Sequence, residues 1–130
     1  MTPHALVIDD DPEILEDVKD RLESLGHTCD TAGCQATARE HLQTGTYSYI
    51  LLDLQIPVRY GRKTMVDNGM HLLEEIRQTR GLEHVPVIVL TTHGLDSPDL
   101  AVSALKKGAV DYVKKTFDQV TALRKAEPKF

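Results

Sequence analysis

The sequence predicts an α/β fold: a doubly wound, five-stranded parallel sheet with helices on both faces. Three observations predict it. The runs Ala5-Leu6-Val7-Ile8, Tyr49-Ile50-Leu51-Leu52 and Val85 to Leu90 are apolar almost throughout, as suits strands buried on both faces. Each is followed by residues whose apolar positions recur at helical spacing. The alternation repeats five times along 130 residues, the length of one domain, 1–130.

The elements follow in order. Ala5 to Ile8 reads as a buried strand ended by acids. Asp11-Pro12-Glu13 starts a helix, with Asp11 as N-cap and Pro12 at the first helical position. Ile14, Val18, Leu22 and Leu25 give that helix its apolar stripe, and Gly26 ends it. His27 to Ala32 is a weaker strand, and Gln35 to Gln43 a helix with Ala36, Ala38 and Leu42 inward, closed by Thr44-Gly45. Tyr49 to Leu52 is a strand running into Asp53, and Gly69 to Gln78 a helix burying Leu72, Leu73 and Ile76. Val85 to Leu90 is a strand running into Thr91-Thr92. Ser97-Pro98 repeats the cap pattern before a helix carrying Leu100, Val102, Ala104 and Leu105, closed by Gly108. Ala109 to Val113 is the last strand, ending in Lys114-Lys115, and Phe117 to Lys125 a last helix with Phe117, Val120 and Leu123 on one stripe.

Composition narrows the function classes. Hydrophobic residues make up 41% and charged residues 27%, ordinary for a folded globular chain. The net charge of −5 argues against a protein that coats nucleic acid through bulk positive charge. No apolar run approaches the ~18 residues of a membrane span. Met1-Thr2-Pro3-His4 has neither a basic n-region nor an apolar h-region, so no secretion signal is read and a cytoplasmic location is expected. Cys29 and Cys34 make neither a disulfide framework nor a zinc knuckle. The charge is uneven. Residues 1–30 hold nine acids (Asp9, Asp10, Asp11, Glu13, Glu16, Asp17, Asp20, Glu23, Asp30) against Lys19 and Arg21, a net of −7 that leaves +2 for the remainder. A solvated helix face accounts for some of these acids, and cation binding is the alternative for others.

Parallel sheets bind ligands at the carboxyl ends of their strands. Four polar clusters fall there: Asp9-Asp10-Asp11, Asp53, Thr91-Thr92 and Lys114-Lys115. Singly, each is ordinary, since an acid after a strand is commonly a cap and a lysine pair a solvated rim. Together they suggest a site. Neighbouring carboxylates offer hard oxygen ligands for a divalent cation such as magnesium. A lysine adds a point charge suited to phosphate, and a threonine hydroxyl donates to a phosphoryl oxygen. This set suits phosphoryl transfer to the Asp53 carboxylate. The residues alone do not choose Lys115 over Lys114, nor Thr91 over Thr92.

Across essentially its whole length the chain resembles the receiver domain of bacterial two-component response regulators. The matching residues are Leu6-Val7-Ile8-Asp9-Asp10-Asp11-Pro12, Asp53-Leu54-Gln55-Ile56-Pro57, Gly69 before Leu72-Leu73, Val85-Pro86-Val87-Ile88-Val89-Leu90-Thr91 and Gly108-Ala109-Val110-Asp111-Tyr112-Val113-Lys114-Lys115. The resemblance implies that Asp53 accepts a phosphoryl group from a phosphohistidine on a sensor histidine kinase or phosphotransfer protein. It implies that Asp9, Asp10, Asp53 and the backbone carbonyl of Gln55 hold Mg2+. Thr91 matches the switch hydroxyl and Lys115 the lysine that pairs with the phosphoryl group. Tyr112 matches an aromatic that changes rotamer on activation, with a half-buried strand tyrosine as the plain alternative. Gln55 and His93 match two positions that tune phosphoryl lifetime. The expected role is a switch rather than an enzyme, with limited self-phosphorylation and dephosphorylation. Its output would pass to a downstream protein or a fused output domain.

Two departures from that pattern stand out. Residues 58–68 form a longer segment than the family carries after the acceptor, and Arg59, Arg62 and Lys63 make it basic. It is expected to project beside Asp53, as a tolerated insertion or as a flap that selects partners or shields the phosphoryl group. Thr116 stands where the family has proline after a cis bond; a cis bond before a non-proline residue costs about 2.5–4 kcal/mol, so a trans bond is expected. Among other readings, the leading alternative is a receiver-like interaction module that works without phosphorylation. A phosphatase with an aspartyl intermediate would need a second acid where Gln55 stands. A flavodoxin-like electron carrier would need a Ser/Thr/Gly-rich loop after the first strand. Direct nucleic-acid binding has no helix-turn-helix segment or basic stripe behind it.

Overall fold

The computed structural model describes residues 2–91 and 98–114. Five strands, β1 (His4–Ile8), β2 (Thr28–Ala32), β3 (Tyr49–Asp53), β4 (Val87–Thr91) and β5 (Asp111–Lys114), form one sheet in the order β2-β1-β3-β4-β5. Every neighbouring pair is parallel. Four helices are described: α1 (Pro12–Ser24), α2 (Gln35–Thr44), α3 (Val66–Gln78) and α4 (Pro98–Lys106). The strand order changes direction between β1 and β3, which places the topological switch point there. Among the described residues no helix is long and apolar enough to cross a membrane.

Alternate strand residues face opposite ways and build two cores. Leu6, Ile8, Ile50, Leu52, Val87 and Val89 pack with Ala38 of α2, Leu72, Leu73 and Ile76 of α3, and Ala104 of α4. Ala5, Val7, Tyr49, Leu51, Ile88 and Leu90 pack with Val18 and Leu22 of α1. Helices therefore cover both faces. All five residues of β3 are buried, and each large aliphatic chain there contributes ~1.5–3 kcal/mol on removal from water. β2 is the polar edge strand, as its sequence Thr-Cys-Asp-Thr-Ala allows, and Asp30 on that edge discourages pairing with another chain.

The helix signals hold where side chains carry them. Asp11 caps α1 by accepting from the Glu13 N–H at 2.9 Å, and Pro12 opens the helix. Gly26 follows its C-terminus at φ 84°, the left-handed conformation glycine adopts without strain. Three boundaries differ from expectation by two residues or more. α3 begins at Val66 rather than Gly69, so the helix takes in part of the expected loop. β4 begins at Val87, because the Val85 N–H turns back to the Leu82 carbonyl and Pro86 has no N–H to give a ladder. β5 begins at Asp111, because the Ala109 N–H bonds the Ala104 carbonyl at the end of α4.

The β3–α3 connection does not project freely. Ile56 and Met65 pair in an antiparallel bridge that closes the loop at its base. The Pro57 and Val58 carbonyls accept the N–H groups of Gln35 and Ala36 at 3.0 and 3.1 Å, so the loop caps α2, whose N-cap Cys34 makes no side-chain bond. The Tyr60 hydroxyl accepts the Gly33 N–H at 3.3 Å. The expected Ser97 cap, Thr92, His93, Lys115, Thr116 and the helix 117–125 lie outside the described residues.

Candidate functional site

The site forms at the switch point because β1 and β3 end together. Ile8 pairs with Leu52, so Asp9 and Asp53 are the next residues along two adjacent parallel strands. Asp53 pairs in turn with Leu90, which sets the Thr91 backbone one step further along β4, opposite Lys114. Apolar strands thus deliver their terminal polar residues to one edge.

Asp9, Asp10 and Asp53 each offer a carboxylate oxygen, and these lie within 4.8 Å of one another. Asp9 and Asp53 are only 2% and 3% exposed, whereas Asp10 faces solvent. The backbone fixes the two buried groups. The Asp11 N–H donates to Asp9 Oδ1 at 3.0 Å, and the Gln55 N–H to Asp53 Oδ1 at 3.2 Å. The Asp9 N–H donates to the Ala32 carbonyl of the neighbouring strand at 3.0 Å. Two buried carboxylates and one exposed one, aimed at a common point, fit a small hard cation that keeps waters on its open side. The donor set therefore suits magnesium.

The turn after Asp53 is held as firmly. The Gly69 N–H in the first turn of α3 donates to the Leu54 carbonyl at 3.0 Å, and Asn68 Nδ2 to the Ile56 carbonyl at 2.8 Å. A side chain at position 69 would put its Cβ 2.3 Å from the Leu54 Cα and carbonyl oxygen. Glycine is required there by close approach rather than as a helix start. Gln35, 4% exposed, donates from Nε2 to the Asn68 carbonyl at 2.7 Å and ties α2 to α3 beneath the loop.

The sequence-predicted site residues divide clearly. Asp9, Asp10 and Asp53 come together, and the Gln55 N–H reaches Asp53. Tyr112 is half-buried and packs against the core shared by α2, α3 and α4. Lys115 and His93 lie outside the described residues.

One cluster had no sequence signal. On the edge strand β2, Asp30 accepts the Tyr47 hydroxyl at 2.7 Å and lies 3.3 Å from His4 Nε2 and 3.9 Å from His41 Nδ1. His4 stacks on Tyr47 with ring centroids 5.2 Å apart. The Tyr47 bond holds the Asp30 carboxyl below its ordinary range, with His4 adding to the effect, while burial and then Asp30 push the Tyr47 hydroxyl up. The β1–β2 register, which sets His4 beside Thr28, brings these distant polar residues together.

Comparison with known proteins agrees with this architecture. A family model described as the response regulator receiver domain matches residues 5–127. The DNA-binding transcriptional regulator NtrC of Escherichia coli K12 is 35% identical over 112 residues, covering 86% of this chain and 21% of that protein. The transcriptional regulatory protein BasR of the same strain is 30% identical over 112 residues, again 86% of this chain but 45% of that protein. The chain thus spans less than half the length of these relatives. Among solved structures, the Francisella response regulator 1452 receiver domain superposes with a TM-score of 0.83 at 27% identity, covering 98% of this chain and 96% of that one. NtrX from Brucella abortus gives 0.83 at 27% identity, over 99% of this chain and 27% of that one.

Proposed function

Because the chain belongs to the response regulator receiver domain family, a family of phosphoacceptor switches in two-component signalling, we propose that Asp53 is its phosphoryl acceptor. The observation that carries this reading is the convergence of Asp9, Asp10 and Asp53 within 4.8 Å at the carboxyl ends of β1 and β3. The donor is a phosphohistidine on a sensor histidine kinase or phosphotransfer protein. The Asp53 carboxylate attacks phosphorus, a P–O bond forms, the P–N bond breaks, and the imidazole leaves with the electron pair.

Each residue's contribution follows from its chemistry. The Gln55 N–H, on Asp53 Oδ1 at 3.2 Å, fixes the plane of the attacking group. Asp9, Asp10 and Asp53, with the Gln55 backbone carbonyl, would hold magnesium, which supplies positive charge to the phosphoryl oxygens. Lys115 pairs with the phosphoryl group and Thr91 donates a hydrogen bond to it. Those bonds exist only in the phosphorylated state, so they bias the end of β4 toward a second arrangement, and Tyr112 repacks with it. The altered surface changes affinity for a downstream protein or a fused output domain. Self-phosphorylation by small donors and slow hydrolysis complete the cycle.

The test uses intact mass. The chain incubated with magnesium and acetyl phosphate gains one phosphoryl adduct, lost on chelation of the metal and in Asp53→Asn. A wild-type chain that gains none under saturating donor would replace this reading with that of an interaction module independent of phosphorylation.

A further inference from the structure

The loop that leaves β3 after Asp53 carries a feature that phosphoryl transfer does not use. Val58, Arg59, Arg62, Lys63, Met65 and Asn68 line an open recess of about 450 Å³. Arg59, Arg62 and Lys63 are all exposed, and no ion pair engages them among the described residues. Val58 and Met65 on its rim are 41% and 47% exposed, so apolar area lies among the cations. The start of α3 adds to the field, since Met65 provides no side-chain cap for the helix N-terminus. The recess is held in place: the Ile56–Met65 bridge closes its base, and the α2 amides grip Pro57 and Val58. The loop is anchored to the start of α2, which follows the carboxyl end of β2, so its base lies at the same sheet edge as Asp9, Asp10 and Asp53.

We infer that this recess docks a carboxylate-rich segment on the surface of the protein that donates the phosphoryl group. The inference rests on the phosphoacceptor reading and names the chemistry of the partner. Two guanidinium groups within one loop match carboxylates in bidentate fashion. All three cations are exposed, an arrangement that steers and orients an acidic surface rather than enclosing a free anion. The exposed Val58 and Met65 give such a segment apolar contact that a bare phosphate would not use.

Two other occupants are separable. One is a free phosphorylated molecule. The other is a second copy of this chain, since Glu13, Glu16, Asp20 and Glu23 form an exposed acidic stripe on α1.

The experiment titrates the 15N-labelled chain with hexaglutamate as the probe, at low and high salt, and in parallel with pyrophosphate at matched ionic strength. Wild type should show saturable amide shifts confined to residues 58–68, abolished by salt. They should weaken by about tenfold or more in R59E/R62E/K63E and by less in the neutral R59Q/R62Q/K63Q. Spectra unchanged outside the loop report that both variants are folded. Absence of saturable shifts, shifts spread over other lysines, or tighter binding of pyrophosphate than of the peptide would overturn the inference. So would low-salt self-association, seen by sedimentation in wild type and lost in the charge-reversed variant. Acetyl phosphate reaches Asp53 without docking, so the adduct should form in wild type and both variants; its failure in wild type would sink the phosphoacceptor reading while leaving the peptide result standing.

Discussion

Gly69→Ala probes the joint on which the site's geometry depends. The added Cβ would lie 2.3 Å from both the Cα and the carbonyl oxygen of Leu54, and 2.6 Å from its carbonyl carbon. Ordinary contact begins at 3.4 Å, so the methyl is about 1.1 Å too close to main chain, which cannot rotate aside. Overpacking of this kind costs ~1–3 kcal/mol, and a backbone obstacle puts it at the upper end. Alanine returns ~1 kcal/mol through helix propensity, leaving a net loss of roughly 1–2 kcal/mol. For a domain of this size that lowers Tm by roughly 4–10 °C. Because Leu54 directly follows Asp53, relief of the clash also moves the acceptor and loosens the 3.0 Å bond from the Gly69 N–H to the Leu54 carbonyl. Thermal unfolding by circular dichroism and the rate of adduct formation from acetyl phosphate, measured well below Tm, read the two effects separately. Unchanged Tm together with an unchanged rate would refute the close-approach argument.

Gln35→Ala should cost ~1–3 kcal/mol in urea unfolding, because it removes a buried side chain, leaves the part-buried Asn68 carbonyl without its 2.7 Å donor and opens a small cavity. A loss below a few tenths of that would show that solvent reaches the carbonyl. Asp30→Asn addresses pH. The folded Asp30 carboxyl is depressed, so its stabilisation is present above the ordinary value of about 3.9 and is lost as pH falls through the lower folded value. The stability difference between wild type and Asp30→Asn should therefore shrink as pH falls below about 4. A difference that grows with acidity would reverse the assignment.

The legibility of this molecule followed the range of the interactions. β1 and β3 announce themselves because burial on both faces demands uninterrupted apolar residues, and an acid at the end of such a run must sit at the sheet edge. The cluster Asp9-Asp10-Asp11 and Asp53 were readable for that reason, and the family resemblance singled out Asp9 and Asp10 within it. The start of α3 was not. Gly69 resembles a helix boundary, yet it lies in the first turn because the Leu54 backbone leaves no room for a side chain. The folding of the loop onto α2 was equally silent, since carbonyls of Pro57 and Val58 do the capping and Cys34 gives no signal. The Asp30, Tyr47, His4 and His41 cluster escaped because register, which sequence periodicity does not encode, assembles it. Backbone-to-backbone bonds and cross-strand register leave no residue-type signature, and those are where the reading fell short.

On the proposed function, the phosphoryl group lands on one carboxylate among three clustered ones. Borohydride reduction of an aspartyl phosphate leaves a homoserine residue in its place, so reducing the acetyl phosphate-treated chain and mapping its peptides locates the modified position directly. Homoserine is expected at position 53 alone, dependent on magnesium. Homoserine at Asp9 or Asp10, or at no position in a chain that nonetheless carries the adduct, would contradict it.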